Sequence, residues 1–167
     1  ELIVIDNGLN GDLIEWIHVQ KIDFKLKILQ QKTNVGYAAA VNRGVEFADG
    51  ELIVVLNADL VLDNFFLETI FKESQKNLDA LFACHILNRT GQKTESTGIY
   101  LDAFLRAHNA TEFEKVLGPQ GAAFAFHKKI IEKLRIKNGI LFDERYFFLW
   151  EDVELALRAS VRGIKTI

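Results

Sequence analysis

The sequence predicts an α/β fold with a central, mostly parallel sheet flanked by helices. Two observations carry that prediction: short apolar runs closed by Asp or Asn, and amphipathic helical segments between them. Leu2 to Ile5 runs into Asp6-Asn7, and Leu52 to Leu56 runs into Asn57-Ala58-Asp59. Between these strands, Asp12 to Val19 has Leu13, Ile14 and Ile17 at helical spacing, and Lys25 to Leu29 alternates as a short strand does. From Gly36, the residues Tyr37, Ala40, Val41, Gly44, Val45 and Ala48 recur at three- and four-residue intervals, and Asp49-Gly50 supplies the stop. Asn64 is placed to cap a further helix whose apolar face is Phe66, Leu67, Ile70 and Phe71.

The second half is less regular. Leu81 to Leu87 reads as a strand, Asn88 to Thr97 as a polar loop, and Tyr100 to Leu117 has no clear period. Gly121 to Phe126 returns as a small-residue strand, Lys128 to Leu134 as a short basic helix and Glu151 to Val161 as an amphipathic one. No Pro-, Gly- or Ser-rich linker and no repeat interrupts the chain, so residues 1–167 are expected to form one domain.

Composition limits the function. The 167 residues are 49% apolar and 26% charged, enough to bury a full core without metal or disulfide staples. With 20 basic against 23 acidic residues and no charged tail, no phosphate-tracking surface for nucleic acid is indicated. The lone Cys84 lies in an apolar stretch and reads as a core residue in a reducing compartment. No apolar run approaches the length of a membrane span. The absence of methionine, with a buried-strand pattern at the first residues, suits an internal piece of a longer chain.

Several constellations can carry chemistry. In an open sheet ligands sit outside the strand carboxyl ends, where Asp6-Asn7-Gly8 and Asn57-Ala58-Asp59 both fall. Asp59 there suits a hard divalent cation, which pairs one or two carboxylates with substrate phosphates; the same pattern also serves as a capped turn. Asp143, Glu144, Glu151 and Asp152 put four carboxylates within ten residues, beside Tyr146 to Trp150. Such crowding raises pKa values and marks acid-base chemistry, while acids at a helix start also serve the helix dipole. Trp150 and Phe148 offer faces for a sugar or for the core. His127 to Lys129 with Lys133, Arg135 and Lys137 offer a basic face for lipid headgroups or for water. The Gly36 segment lacks G-x-G-x-x-G, no P-loop exists, and the four histidines lack zinc spacing, so hydride transfer, P-loop and zinc chemistry lose support.

In order, these pieces resemble the inverting family 2 glycosyltransferases of GT-A fold, and the resemblance covers nearly the whole chain. Ile3-Val4-Ile5-Asp6-Asn7 looks like the family's second strand and its nucleotide-binding Asp. Asn34-Val35-Gly36 with Ala39, Asn42 and Gly44 looks like the nucleotide-side helix entry, though Val41 stands where the family often has Arg. Leu56-Asn57-Ala58-Asp59 resembles the D-x-D metal motif with only its final Asp. Gly118 to Ala123 resembles the acceptor-side strand, and Phe142-Asp143-Glu144 through Glu151-Asp152 to Leu155 and Arg158 the catalytic block. Thr97-Gly98-Ile99 and the loop after it suggest a rhamnosyltransferase-like branch.

The resemblance implies a hexosyltransferase-type enzyme using a UDP- or dTDP-linked sugar, a Mg²⁺ or Mn²⁺ ion and a glycan or lipid-linked acceptor, in polysaccharide or cell-surface glycan synthesis. It implies a cytoplasmic setting, with peripheral association at the inner membrane face. Asp152 is expected as the base with Glu151 beside it. Asp6, Asn34, Gly36, Asn42, Asn57 and Asp59 are expected on the nucleotide sugar, with Asp59 on the metal. Gly121, Trp150 and Arg158 are expected on the acceptor side. The donor half is expected over residues 1–62 and the acceptor half over 63–167, with a family strand preceding residue 1 and another following Ile167. Two alternatives remain: a sugar nucleotidyltransferase, and a non-catalytic glycan- or partner-binding domain of the same fold.

Overall fold

The computed structural model describes residues 1–8, 15–17, 19–112, 116–137 and 139–167. Strand β1 (Leu2–Asp6) pairs in parallel with β2 (Leu26–Gln30), from Leu2 opposite Leu26 to Asp6 opposite Gln30. Helix α1 (Tyr37–Phe47) follows, then β3 (Leu52–Leu56) and α2 (Phe66–Lys76). The second half contributes β4 (Ala80–Ala83), the hairpin β5 (Ile86–Leu87) with β6 (Thr94–Ser96), and the hairpin β7 (Ile99–Leu101) with β8 (Ala107–Asn109). It continues with β9 (Ala123–His127), a 3₁₀ turn (Lys128–Ile130), α3 (Ile131–Leu134), α4 (Glu151–Val161) and β10 (Lys165–Thr166).

The four-stranded sheet has the order β10-β4-β9-β3. It is mixed rather than mostly parallel, because β9 runs antiparallel to both β3 and β4 while β10 is parallel to β4. The cause is the route of the chain. After its hairpin excursion it re-enters beside the carboxyl end of β3, where the Asn57 N–H donates to the Ala122 carbonyl at 2.8 Å, and must run back along β3.

The alternation of β9 builds the two faces. Phe124 and Phe126 enter a core with Ala38 and Val45 of α1, Leu155 and Ala159 of α4, and Leu81 and Phe142. Ala125 faces the other way, with Phe82, Val54 and Ile70 of α2. Each fully buried Phe or Leu contributes roughly 1.5–3 kcal/mol, so this strand anchors the domain. Cys84 is buried as expected, and burial pushes its thiol up to about 11.

Several local expectations change. The helix read over Asp12 to Val19 lies largely outside the described residues, although 15–17 are helical. Asn64 does not cap α2: the Asp63 carboxylate accepts the Phe65 N–H at 2.8 Å, and its carbonyl accepts the Phe66 N–H. Of that helix's apolar face, Leu67 and Phe71 stay exposed. The strand read over Leu81 to Leu87 breaks at Cys84-His85 into β4 and β5, the polar loop contains β6, and the aperiodic Tyr100 to Leu117 segment supplies most of the β7–β8 hairpin. The basic face after β9 is occupied internally: Lys129 and Lys133 approach Asp79, Arg135 approaches Glu132, and Lys128 donates to the Ala48 carbonyl. No helix among the described residues is long and apolar enough to cross a membrane.

Candidate active site

The carboxyl ends of β1 and β3 and the starts of α1 and α4 are tied together by a series of hydrogen bonds. At the end of β1, Asp6 is buried; its carboxylate accepts the Gly8 N–H at 3.1 Å and the Gln30 side-chain amide at 3.2 Å. Asn7 donates to the Asn34 side chain at 3.0 Å and to the Gly36 carbonyl at 3.2 Å, and accepts the Val35 N–H at 3.0 Å. The Asn34 oxygen also accepts the Gly36 N–H at 2.9 Å. Asn7 and Asn34 thereby fold the loop that opens α1.

Gly36 is required where it stands. Its φ is +84°, and a Cβ there would lie 2.5 Å from the Phe147 carbonyl oxygen. That carbonyl accepts the Tyr37 N–H at 3.1 Å, so the bend-rich segment leading into α4 closes over the start of α1. Tyr37 then reaches across, and its hydroxyl donates to the Gly121 carbonyl. The Gly121 N–H donates to the Asp152 carboxylate at 3.1 Å, and the other Asp152 oxygen accepts the Val153 N–H at 2.8 Å.

Asp59 lies in the turn after β3, exposed, and its carboxylate has no hydrogen-bond or ion-pair partner among the described residues. Asn57, two residues earlier, bonds to Ala122, the neighbour of Gly121. The Asp59 turn and the first turn of α4 that holds Asp152 are therefore both tied to the segment that enters β9, through Ala122 and Gly121 respectively. Among the described residues no group of three His, Cys, Asp or Glu could hold a metal ion by itself. Asp59 by itself offers a single carboxylate, fewer oxygen ligands than a hard divalent cation takes, so any such ion would need further oxygens from a ligand or water.

The four carboxylates of the catalytic block separate into distinct environments. Asp143 is held below the usual carboxylate range chiefly by the Arg145 guanidinium, 2.6 Å away, and it folds the 143–146 turn. Glu144 accepts from Asn42 at 3.0 Å. Glu151 is 7% exposed, one of its oxygens has no partner, and burial with the nearby Asp152 raises its pKa. Tyr37 is raised as well, first by burial and then by the charges of Glu151 and Asp152.

Two expected ligand contacts are corrected. Asn42 is 2% exposed, and its amide is spent internally: it donates to the Phe142 carbonyl and Glu144, and its oxygen accepts the Leu141 and Phe142 N–H groups at 2.9 Å each. A side-chain amide offers two donor and two acceptor positions, so none is left for a nucleotide. Arg158 is likewise buried, paired with Glu154 at 2.6 Å and donating to the Leu134 and Leu141 carbonyls. It ties Leu134 to Leu141, and it also borders the cavity on α4 that Trp150 lines. Trp150, in left-handed conformation at φ +73°, lines a cavity of about 500 Å³ on α4 with Tyr146, Leu157 and Val161. Gly121, by contrast, lies directly on Asp152. Tyr37 and Phe147 were not anticipated: helical periodicity explains one as a core position, and an aromatic run explains the other.

Residues 1–135 match the Glycosyl transferase family 2 model. A low-salt glycan biosynthesis hexosyltransferase of Haloferax volcanii is 21% identical over 179 aligned positions, covering 98% of this chain and 54% of the relative. A poly-beta-1,6-N-acetyl-D-glucosamine synthase of Staphylococcus epidermidis is 32% identical over 79 residues, 46% of this chain and 19% of that protein. The chain thus spans about half or less of the length of these relatives. Among solved structures, GalNAc-T7 with UDP, GalNAc and Mn²⁺ superposes with a TM-score of 0.70 at 14% identity, covering 95% of this chain and 34% of that one. The mannosyltransferase PcManGT of Pyrobaculum calidifontis, in complex with GDP-Man and Mn²⁺, gives 0.68 at 19%, covering 100% and 44%. These likenesses establish the GT-A fold, and with the family match over most of its length the chain belongs to glycosyl transferase family 2.

Proposed function

We propose that this domain transfers a hexose, with inversion, from a UDP- or dTDP-linked donor to a glycan or lipid-linked acceptor in the assembly of a polysaccharide or cell-surface glycan. In this reading residues 1–62 take the donor and residues 63–167 supply the acceptor side. The observation that carries it is that the Asp59 turn and the start of α4 are both tied to the segment entering β9, through Asn57 to Ala122 and Gly121 to Asp152. Solved structures of the same fold that hold UDP, GalNAc and Mn²⁺, or GDP-Man and Mn²⁺, give it further support.

Inversion requires attack from the face opposite the leaving group. The acceptor hydroxyl oxygen forms the new bond to the anomeric carbon, its proton passes to the Asp152 carboxylate, and the old bond's electron pair leaves with the nucleoside diphosphate. Asp152 suits this base role because one Gly121 N–H and one Val153 N–H orient it without a cationic partner. Glu151, buried with one oxygen unpartnered, is the poorer candidate for meeting an acceptor. Asp6, Asn34, Gly36 and Asn57 form the donor-side loops. Asp59 would give a Mg²⁺ or Mn²⁺ ion one carboxylate, and such an ion, when bound, would offset charge on the diphosphate.

The test is a thermal-shift and product screen of the full-length protein against UDP- and dTDP-hexoses with Mn²⁺. One donor should stabilise the protein and yield free nucleoside diphosphate on adding acceptor. Pyrophosphate as product would overturn the reading in favour of nucleotidyl transfer.

A further inference from the structure

Among the described residues, the Tyr37 side chain joins the donor-side helix to Gly121, the residue whose N–H holds Asp152. Its N–H is fixed on the Phe147 carbonyl and its ring tilts against Phe142 at 5.8 Å between centroids. The ring therefore has little freedom, and its hydroxyl is delivered to one acceptor, the Gly121 carbonyl. Gly121 has no side chain of its own to fix its orientation, yet its N–H must point at Asp152. Holding the carbonyl of the same residue restrains the backbone that carries that N–H.

We infer that Tyr37 is a positioning residue for Asp152, acting through Gly121: the hydroxyl anchors the Gly121 carbonyl so that the Gly121 N–H stays directed at the carboxylate. The inference rests on the reading of Asp152 as the base. Its physical basis is preorganisation: a carboxylate held in one orientation by a fixed N–H keeps its remaining lone pairs aimed at one point. The contact also couples the two halves of the site, since α1 begins at the donor loop and Gly121 lies on the acceptor side. The ionisable groups beside Asp152 are Glu151 on its own helix and Tyr37 on α1; burial pushes both upward, and the Asp152 charge adds to it.

The experiment compares the full-length protein with its Tyr37→Phe variant by NMR at one pH, without substrate, following the hydrogen exchange of the Gly121 amide and the chemical shift of the Asp152 side-chain carboxyl carbon. The variant should exchange its Gly121 amide roughly 3 to 10 times faster and move the Asp152 carboxyl resonance. An unchanged exchange rate overturns the inference. Should the variant fold poorly, the native protein decides: the Tyr37 hydroxyl proton should exchange far more slowly than that of the exposed Tyr100, and equal rates overturn the proposal. If instead the Gly121 exchange rises while Asp152→Asn retains turnover, the hydrogen-bond coupling stands and the base assignment falls.

Discussion

The Asn57 N–H donates to the Ala122 carbonyl at 2.8 Å, one bond beyond the last paired residues of β3 and β9, Leu56 and Ala123. This contact extends the ladder past the strands and makes the Asp59 turn and the Gly121 segment a single edge.

Asp59→Ala should remove the cation dependence of donor binding while leaving the fold intact, because the carboxylate is exposed and unpaired among the described residues. Calorimetry with and without Mn²⁺ checks this. Asn57 offers no carboxylate to substitute, so the Mn²⁺-dependent gain in affinity should vanish; a gain that persists contradicts the role given to Asp59.

Asn42→Ala should be among the most destabilising single changes. It leaves two buried N–H groups and a carbonyl of the 141–142 segment without partners. At about 1–3 kcal/mol for such a group, with partial relaxation, the loss should be on the order of 3 kcal/mol, read by urea denaturation. A change of only a few tenths would return Asn42 to the list of ligand contacts.

Glu151→Gln should stabilise the domain near neutral pH. The folded state raises the Glu151 pKa, so the folded state binds its proton more tightly than the unfolded one. That contribution is complete below the ordinary glutamate pKa and is lost as pH rises through the folded value, which leaves a buried charge as a liability at pH 7. Removing it should raise Tm by roughly 2–4 °C at pH 7, with the difference shrinking toward pH 4. A variant less stable at pH 7 would show that Glu151 has a partner when ionised.

The strands, α1 and α4 were legible because buried parallel strands and amphipathic helices leave strong periodic patterns: α4 spans Glu151–Val161 as its spacing predicts. The direction of β9 was not legible, since a run of Ala and Phe has the same pattern either way along a sheet. The β7–β8 hairpin was missed because its strands are three residues long, too short to show a period. At the site, hydrogen bonds link Asn34 to Gly36 and Gly121 to Asp152, and their roles toward a ligand are proposals. Asn42 and Arg158 brace buried backbone, and polar residues that do so look like polar residues that grip a ligand until their partners are known. Tyr37 was hidden for the converse reason: its ring satisfies the core pattern, while its hydroxyl bonds to a residue 84 positions away.

The central claim is that Asp59 and Asp152 serve one site with separable tasks, donor holding and proton removal. Its most direct test is the single-turnover transfer rate of Asp152→Asn, measured beside donor affinity. The account predicts unchanged donor affinity with transfer slowed on the order of 10²- to 10⁴-fold. Near-normal transfer by that variant would contradict it.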